Sequence, residues 1–381
     1  MKTLSEMNKK LIYLTYQTFP SEAANTIQTM DNIKYLSRKG YNVKLIFPLR
    51  SKDSTDNKDL LKKYYGINDE IILKGIKHNF PFGKIKFAEK YLFIMSHYLW
   101  SKKICKSFKY EENKEIQFFT RSDWVFYFLS KKGLNVIFEC HQLSKIRRWV
   151  LKNSIHKKGA KIIFLNERLL LDAGPKIKKY SNKIKIIPNG VDDDLFLNMD
   201  TKKSGEIVFS GNLQRFNDNR GLDFIINSFL NENMPEVYSL KIIGGPFSEV
   251  KKLEEHVSKL GLKEKIKFLG RLDRKLTISN IESADIGLLI NSSKNLHSLN
   301  YASPLKYFEY LFAEIKVVAV DFPSHRSLPF SENISFFSEN NEESFINAIS
   351  KASKTNALKK KGLESISMES RVKEIISLIN S

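Results

Sequence analysis

The sequence predicts an α/β protein of two domains, each built on a mainly parallel sheet. At 381 residues, the chain is longer than one ordinary hydrophobic core accommodates. Short runs rich in Val and Ile alternate with helical segments, and repeated βαβ units of this kind build parallel sheets. The alternation restarts after the turn-rich stretch 188–192. We therefore expect one domain over 1–187, a second over 188–367 and a helical tail over 368–381.

The first domain opens with a βαβ unit. A strand is expected at 10–14, a helix at 25–39 that Gly40 ends, and a second strand at 42–48. Further strands are expected at 70–73, 115–120, 135–140, 161–165 and 184–187, with helices between them.

The second domain repeats the pattern. Strands are expected at 206–210, 239–243, 266–269, 285–290, 315–320 and 334–337. Helices are expected at 221–229, 250–260, 276–283, 342–353 and 368–378, with another that opens at Ser303 after a polar loop. Because ligands bind at the carboxyl ends of strands in open parallel sheets, the loops that follow these strands are candidate sites.

Charge and cysteine content limit the class of protein. The formal net charge is +21, and the basic residues are spread along the chain. This favours either a lysine-rich proteome or an anionic partner: a nucleic acid, a membrane surface or a phosphorylated substrate. The sequence carries no RNA-binding signature, zinc finger or basic helix with heptads, which disfavours nucleic acid. Cys105 and Cys140 make neither a disulfide framework nor a metal cage, so we expect reduced cytosolic thiols.

The location of the protein is predicted from its apolar segments. No run reaches the ~18 apolar residues of a membrane span, and residues 1–10 lack the apolar core of a signal peptide. We expect a cytoplasmic protein, with peripheral contact to the inner face of the cytoplasmic membrane left open. Segment 84–110 mixes large apolar side chains with lysines, which suits an interfacial helix on anionic lipid. The alternative is a helix packed on the first sheet with basic edges.

The helix start at Ser303-Pro304-Leu305-Lys306 is the first candidate site. A strand that leads through Ser-Pro into a helix presents backbone N–H groups that bind an anion. Lys306 would lie in the first turn beside that anion. Glu309, one turn further on, would accept hydrogen bonds from sugar hydroxyls. The alternative is an ordinary helix opened by proline, with a solvated Lys and Glu.

A glycine loop after the strand at 206–210 is the second candidate site. Gly211 lets the backbone approach a ligand closely, and Asn212 follows it. Arg215 and Arg220 come next, and arginine binds phosphate oxygens in a bidentate manner. The alternative is a plain turn with exposed arginines. Both this loop and the helix at Ser303 follow strands of the same predicted domain, so they would face the same space.

Three weaker candidates follow other strands. His141 stands at the end of the buried strand 135–140, where the alternative is a structural histidine. Asn25 and Thr26 belong to the segment 18–28, where the first strand leads into its helix, and the alternative is a simple N-cap region. After the strand at 266–269, the backbone at Arg271 and Leu272 could meet a nucleobase, or form a simple loop.

Missing motifs exclude other enzyme classes. The first βα turn lacks G-x-G-x-x-G, which disfavours a dinucleotide-dependent dehydrogenase, and the chain has no Walker lysine loop. Asp192, Asp193 and Asp194 fall in the expected interdomain turn rather than in a D-x-D pair at a strand end. A metal that bridges a diphosphate is therefore not implied.

Taken in order, the motifs resemble those of the GT-B glycosyltransferases, specifically glycosyltransferase family 4. The resemblance covers nearly the whole chain, and the ordered set is more specific than any single motif. The segments that carry it are Ile187-Pro188-Asn189-Gly190-Val191-Asp192, Phe209-Ser210-Gly211-Asn212 with Arg220-Gly221, Ser303-Pro304-Leu305-Lys306 with Glu309-Tyr310, and Pro323-Ser324-His325-Arg326.

The resemblance implies two Rossmann-like domains that face an interdomain cleft, with the C-terminal helix crossing back to pack on the first domain. It implies that the second domain holds a nucleotide-sugar donor. Glu309 would then bond the ribose hydroxyls, and Arg220 would hold the diphosphate with Asn212 as a weaker partner. Lys306 and the amides around Ser303, Pro304 and Leu305 would complete the anion site. In the first domain, His141 would contact the donor sugar, and Asn25 and Thr26 would line the cleft.

One position departs from the family pattern. Many members carry a pair of glutamates eight residues apart, and Tyr301 stands where the first of the pair is expected. That glutamate usually meets the sugar ring, so the sequence does not identify the sugar. The alternative is a non-catalytic module in which a GT-B scaffold binds a nucleotide or a glycan.

The resemblance further implies a reaction. We expect transfer of a hexose-type sugar from a UDP- or GDP-linked donor to a glycan or lipid-linked acceptor, with retention at the anomeric carbon. Cations and helix amides would stabilise the leaving diphosphate without a metal or a further cofactor. Such transfer would serve the synthesis of a surface polysaccharide.

Overall fold

The computed structural model describes residues 9–79, 89–196, 205–214 and 220–381. The chain divides into two units. The first comprises Met1–Ile187 together with Arg371–Ser381, and the second comprises Pro188–Ser370. Arg215 and the segment 80–88 lie outside the described residues.

The first unit contains a seven-stranded parallel sheet with the order β3-β2-β1-β4-β5-β6-β7. Its strands are β1 Lys9–Leu14, β2 Tyr41–Leu49, β3 Ile72–Lys77, β4 Gln117–Thr120, β5 Val136–Cys140, β6 Ala160–Phe164 and β7 Ile184–Ile186. Every residue of β5 is buried, as expected for a central strand covered on both faces. Most of these strands lie within one or two residues of the predicted ranges.

The strand β3 is displaced from its prediction. We expected 70–73, where apolar residues cluster, but the pairing with β2 runs from Lys44 with Ile72 to Leu49 with Lys77. The strand lies at the sheet edge and alternates between exposed and half-buried positions. Backbone pairing with β2 therefore decides the position of β3, and the pattern of polar and apolar side chains predicts that position poorly.

In the described part of the first unit, eight α-helices connect the strands. They are α1 Ala24–Arg38, α2 Lys58–Tyr65, α3 Glu89–Lys106, α4 Tyr110–Asn113, α5 Asp123–Lys131, α6 Lys145–Ser154, α7 Glu167–Ala173 and α8 Pro175–Lys178. Side chains cap several of them. The Oδ1 of Asn57 accepts from the N–H of Leu60 at 3.0 Å, for example, and so satisfies one of the N–H groups left open at a helix start.

The second unit contains a six-stranded parallel sheet with the order β10-β9-β8-β11-β12-β13. Its strands are β8 Glu206–Ser210, β9 Ser239–Ile243, β10 Ile266–Gly270, β11 Ile286–Leu289, β12 Lys316–Val320 and β13 Ile334–Phe337. Numbered from its own first strand, this order is 3-2-1-4-5-6, the order of doubly wound nucleotide-binding sheets. In such sheets the ligand binds where the strand order reverses, which here lies between β8 and β11.

The helices of this unit are α9 Leu222–Asn227, α10 Phe247–Lys259, α11 Arg274–Glu282, α12 Leu296–Asn300, α13 Leu305–Phe312, α14 Pro323–Arg326 and α15 Glu342–Ser353. The short helix α12 replaces the loop that we predicted before Ser303. The Oδ1 of Asn295 accepts from the N–H of Ser298 at 3.0 Å and starts this helix. Its one turn is too short to show a helical period among polar residues.

The last helix, α16 Met368–Asn380, begins in the second unit and continues into the first from Arg371. Within the first unit, the guanidinium of Arg371 donates to the carbonyl oxygen of Ile187 at 3.1 Å and to the carboxylate of Glu139 at 2.7 Å. The Nζ of Lys161 donates to the carbonyl oxygen of Leu378 at 2.7 Å. The predicted fold class of two Rossmann-like domains is confirmed. Among the described residues, no helix is long and apolar enough to span a membrane.

Candidate functional site

Two loops of the second unit meet at the reversal of its strand order. Gly211 follows β8, and Asn291 follows β11. Gly211 has φ of +140°, and a Cβ built on it would stand 3.5 Å from the Nζ of Lys306 and 3.6 Å from Nη1 of Arg220. Gly244 is equally required, because a Cβ there would meet the carbonyl oxygen of Gly211 at 1.8 Å. Two cationic side chains therefore converge on a backbone position without a side chain of its own.

Both cations are nearly buried. The exposed fraction is 7% for Arg220 and 9% for Lys306. The ring of Phe209 lies beneath them, with its centroid 4.0 Å from the Nζ of Lys306 and 5.6 Å from Cζ of Arg220. Cation–π attraction offsets part of the cost of burying two like charges, and a bound anion would offset more.

The guanidinium of Arg220 is held by three acceptors. It donates to the carbonyl oxygens of Asn212 and Ile290, each at 3.0 Å, and to Oδ1 of Asn291 at 2.5 Å. The backbone of Arg220 adopts φ of +63°, which is unusual for a residue with a side chain. Strained positions that are held in this way are common at ligand sites.

The start of helix α13 borders the same space. The helix begins at Leu305, with Pro304 as its N-cap and without a side-chain cap among the described residues, so Lys306 lies in the first turn. Ser303 precedes it and is anchored by Asn189, whose backbone N–H donates to Oγ of Ser303 at 3.3 Å. The amide of Asn189 also donates to the carbonyl oxygen of Ser303.

Glu309 lies one turn along the same helix and is 8% exposed. Its Oε1 stands 3.5 Å from Nη1 of Arg274, the first residue of α11. Sequence reasoning missed Arg274. The sequence signal that could have indicated it is Asp273, whose Oδ1 accepts from the N–H of Leu276 and so caps the start of α11. Arg274 is the first residue after this cap.

The loop after β10 brings Arg271 to the glycine loop. Nη2 of Arg271 donates to Oδ1 of Asn212 at 3.3 Å, and a Cβ on Gly245 would meet Nε of Arg271 at 2.5 Å. Leu272, the next residue, packs against the hydrophobic core. The structure therefore unites Gly211, Asn212, Arg220, Arg271 and Lys306 at one edge of the second sheet.

His141 belongs to a buried ionic network of the first unit. Its Nδ1 accepts from Nη2 of Arg121 at 2.9 Å, and its Nε2–H donates to the carboxylate of Glu139. Burial, together with the charge of Arg121, lowers the pKa of His141 to about 3, so the ring is neutral. Burial raises the pKa of Glu139, but Arg371, His141 and Arg121 outweigh it and hold that pKa well below its usual range. Both ring nitrogens of His141 are therefore engaged within this network.

The same arginine reaches the start of helix α1. Nη1 of Arg121 donates to the carbonyl oxygen of Asn25 at 3.0 Å. The hydroxyl of Thr26 donates to the carbonyl oxygens of Ser21 and Ala23, both at 2.7 Å. Thr26 is 2% exposed, so its hydroxyl stabilises the helix start, whereas Asn25 is exposed. The sequence indicated neither Arg121 nor Glu139 as part of this network.

Three neighbouring carboxylates lie elsewhere in the second unit. Side-chain oxygens of Asp192, Asp193 and Asp194 lie within 4.8 Å of one another. Such a cluster alone does not establish a metal site, and the expectation of a metal-independent reaction stays a prediction.

Three solved structures resemble the chain over nearly its full length. HepE from Anabaena, solved with UDP and glucose, is 15% identical with a TM-score of 0.65, covering 98% of this chain and 99% of its own. A glycosyltransferase from Rickettsia africae is 14% identical with a TM-score of 0.66, covering 98% of each. WaaG, a glycosyltransferase involved in lipopolysaccharide biosynthesis, is 13% identical with a TM-score of 0.55, covering 97% and 95%. At such identities the likeness establishes the fold.

Sequence comparison identifies a family for part of the chain. No curated protein sequence matches this chain. Residues 200–364, which form most of the second unit, match the family of glycosyl transferases group 1. Residues 200–364 therefore resemble the glycosyl transferases group 1, and the chain as a whole has the GT-B fold of the glycosyltransferases to which it is similar.

Proposed function

We propose that this protein transfers a hexose-type sugar from a nucleotide-sugar donor to a glycan or lipid-linked acceptor, with retention at the anomeric carbon. The observation that carries the proposal is the convergence of Arg220 and Lys306 on Gly211. Two nearly buried cations beside a helix start and a bare backbone suit a diphosphate. The position at the reversal of the strand order supports a nucleotide as its carrier.

The proposed reaction breaks the bond between the anomeric carbon and the diphosphate oxygen. Negative charge then develops on the leaving diphosphate, and fixed cations at that place stabilise the transition state more than the ground state. Lys306 and Arg220 would supply this charge without a divalent ion. The acceptor hydroxyl attacks from the same face, and the departing diphosphate takes its proton.

Structural neighbours and the loop after β10 support a proposal for the nucleotide. HepE was solved with UDP and with UDP-glucose, which supports a UDP-linked donor, while GDP stays an alternative. The backbone at Arg271 and Leu272 is the proposed contact for the base. Glu309 is the proposed acceptor for the ribose hydroxyls.

A panel of UDP- and GDP-linked hexoses tests this function through release of the nucleoside diphosphate with and without EDTA. We expect one donor to be consumed at equal rates in both conditions, and Lys306→Ala to abolish turnover. Lys259→Ala, which removes an exposed lysine from α10, is the matched control. Nucleotide binding without turnover of any donor would instead support the non-catalytic binding module. Loss of turnover in EDTA would contradict the metal-independent reaction.

We also propose that helix α3 contacts an anionic membrane surface, which would place the enzyme beside a lipid-linked acceptor for surface polysaccharide synthesis. One face of the helix carries Tyr91, Met95 and Leu99, which are 75%, 48% and 43% exposed. The exposed side chains that continue along the helix are basic: Lys102, Lys103 and Lys106. Of the basic residues that we noted in segment 84–110, those at 84 and 86 lie outside the described residues.

Neighbouring helices extend this surface with aromatic rings. Trp124 of α5 has its ring centroid 5.0 Å from that of Tyr98 and 6.4 Å from that of Trp149 of α6. Trp149 is 47% exposed. Aromatic rings beside lysines are typical of surfaces that lie at a membrane interface.

Liposome flotation at low salt tests the membrane proposal. With vesicles rich in phosphatidylglycerol we expect binding, and with pure phosphatidylcholine much less. Because each lysine contributes about 1 kcal/mol near an anionic surface, replacing Lys102, Lys103 and Lys106 by Glu should reduce binding by more than roughly 100-fold. The control replaces Lys251, Lys252 and Lys259 of α10 by Glu. Equal flotation of both triple variants would reject α3 as the contact.

A further inference from the structure

A buried chain of hydrogen bonds leads from strand β12 to the guanidinium of Arg220. Nδ1 of His325 lies 2.8 Å from the carbonyl oxygen of Val320, and Nε2 of His325 lies 3.4 Å from Nδ2 of Asn291. Oδ1 of Asn291 accepts from Nη2 of Arg220 at 2.5 Å. His325 is fully buried, and Asn291 is 4% exposed. His325 lies in one of the segments that carry the family resemblance, but the resemblance implies no role for it or for Asn291.

The polarity of this chain follows from its first bond. A carbonyl oxygen only accepts, so Nδ1 of His325 must carry the proton and donate to Val320. In the neutral ring, Nε2 is then an acceptor, and it receives the amide N–H of Asn291. That bond orients the amide, so its oxygen faces Arg220. Each bond therefore determines the direction of the next.

The surroundings keep the histidine neutral. Burial lowers the pKa of His325 to about 4, and the nearby charges of Lys306 and Arg220 act in the same direction. A protonated ring would present a second donor to the amide of Asn291. The amide would then have to turn its N–H groups toward Arg220, and the bond to the guanidinium would be lost.

Arg220 needs such support because its long side chain has many rotamers, and holding one of them costs conformational entropy. The carbonyls of Asn212 and Ile290 accept two of its N–H groups, and Asn291 accepts a third bond. Three acceptors on separate segments fix the plane of the guanidinium while Nη1 stays beside Gly211. Preorganisation of this kind strengthens electrostatic stabilisation of a ligand or transition state.

We propose that Asn291 and His325 are positioning residues that hold Arg220 in place for the diphosphate of the donor. The inference rests on the proposed function of Arg220 as the diphosphate contact. It predicts that His325, a buried residue that does not contact the ligand, affects phosphate binding through its hydrogen bonds and not through packing alone.

Calorimetry with UDP or GDP, whichever the wild-type protein binds more tightly, tests the proposal. Displacement of that nucleotide by uridine or guanosine measures nucleoside affinity. Asn291→Ala should weaken diphosphate binding by about tenfold, the loss expected for one bond to a charged group. Nucleoside affinity should stay the same, since the nucleoside lacks the phosphates that Arg220 would contact. The same change in a protein that already carries Arg220→Ala should add nothing.

Variants of His325 separate positioning from packing. Gln offers both a donor and an acceptor and should keep most of the diphosphate affinity, whereas Phe offers neither and should lose it. Ser324→Ala is the matched control, because Ser324 is also buried on α14 and donates to the carbonyl oxygen of Ser298 at 2.6 Å. It should lower the melting temperature without changing the ratio of diphosphate to nucleoside affinity.

Three outcomes would overturn the inference. If Asn291→Ala weakens nucleoside and diphosphate binding equally, its role is structural. If Arg220→Ala weakens diphosphate binding but Asn291→Ala does not, the positioning chain fails and the proposed function stands. If Arg220→Ala itself changes nothing, the diphosphate contact and the positioning chain fail together.

Discussion

The carboxylate of Glu309 and the guanidinium of Arg274 form an ion pair. The sequence indicated Glu309 but not Arg274. The two side chains are 11% and 20% exposed, and their closest charged atoms stand 3.5 Å apart. A carboxylate oriented by one arginine still has oxygen lone pairs for sugar hydroxyls. Arg274 therefore suits a role in orienting the proposed ribose contact.

Glu309→Ala should weaken UDP or GDP binding by about tenfold, because the ribose hydroxyls would lose charged acceptors. The 2′-deoxy form of the nucleotide should lose less affinity than the parent on the same substitution. Arg274→Ala should cause a smaller loss in the same direction. Calorimetry with both nucleotide forms measures this, with Glu343→Ala on α15 as the control. Unchanged affinity for UDP and GDP would refute the ribose assignment.

Gly211 gives a second prediction at this scale. Gly211→Ala would place a methyl group against both cations, so UDP or GDP binding should fall by at least about tenfold. Positive φ also strains the alanine and costs about 1 kcal/mol of stability or more. Gly261→Ala is the control, since Gly261 also has positive φ but open space around it. Thermal unfolding should detect both changes, whereas calorimetry should detect only the first.

His141 gives a third prediction. His141→Ala should abolish sugar transfer while nucleotide affinity stays near normal, because the residues proposed to bind the nucleotide lie in the second unit. Steady-state turnover and calorimetry, run together, check this. His156→Ala on the first unit is the control. Full activity of the His141 variant would refute a role for this residue in transfer.

At the scale of elements, the buried pair of Arg371 and Glu139 fastens helix α16 to the first sheet. Arg371→Met leaves the Glu139 carboxylate buried with less positive charge around it, which should destabilise the first unit by about 3 kcal/mol. Adding Glu139→Gln should restore part of that stability. Glu374→Gln is the control, because its pair with Lys185 is largely exposed and should contribute less than about 1 kcal/mol. Urea unfolding measures the three variants. A loss for Arg371→Met no larger than that of the control would contradict the fastening role.

Central strands were predicted more accurately than the edge strand β3. Strand β8 matches its prediction at both ends, since the run Ile207-Val208-Phe209 is continuously apolar, as expected for a central parallel strand. At the edge, β3 was misplaced because pairing with β2 sets its bounds. The turn α12 was missed because one helical turn carries too few residues for a period.

For the whole molecule, buried histidines predict a sensitivity to acid. Burial lowers the pKa of His97 to about 4, of His141 to about 3 and of His325 to about 4. Their unfolded values lie near 6.5, so between these values the unfolded chain binds protons that the folded chain does not. Stability should therefore be full above about pH 6.5 and fall as the pH drops from there toward 4. At pH 5, each histidine would account for a loss on the order of 1–2 kcal/mol.

Urea unfolding at pH 7.5 and pH 5 checks this acid sensitivity. His97→Gln should flatten the dependence, whereas His156→Gln should leave its slope unchanged. A stability that is constant between these pH values would contradict the prediction.

The sequence by itself determined the two α/β units and the family motifs, because apolar periodicity and short turn segments are local properties. It also brought forward Gly211, Arg220, Lys306 and Glu309 as candidates, since each lies in a loop after a strand or in the first two turns of a helix. Only the tertiary structure decided which side chains surround them. Arg274, Asn291 and His325 reach the site from distant segments, and their role depends on burial and on hydrogen-bond direction. Such contacts form only when the sheet brings the carboxyl ends of separate strands together. No local sequence pattern therefore predicts them.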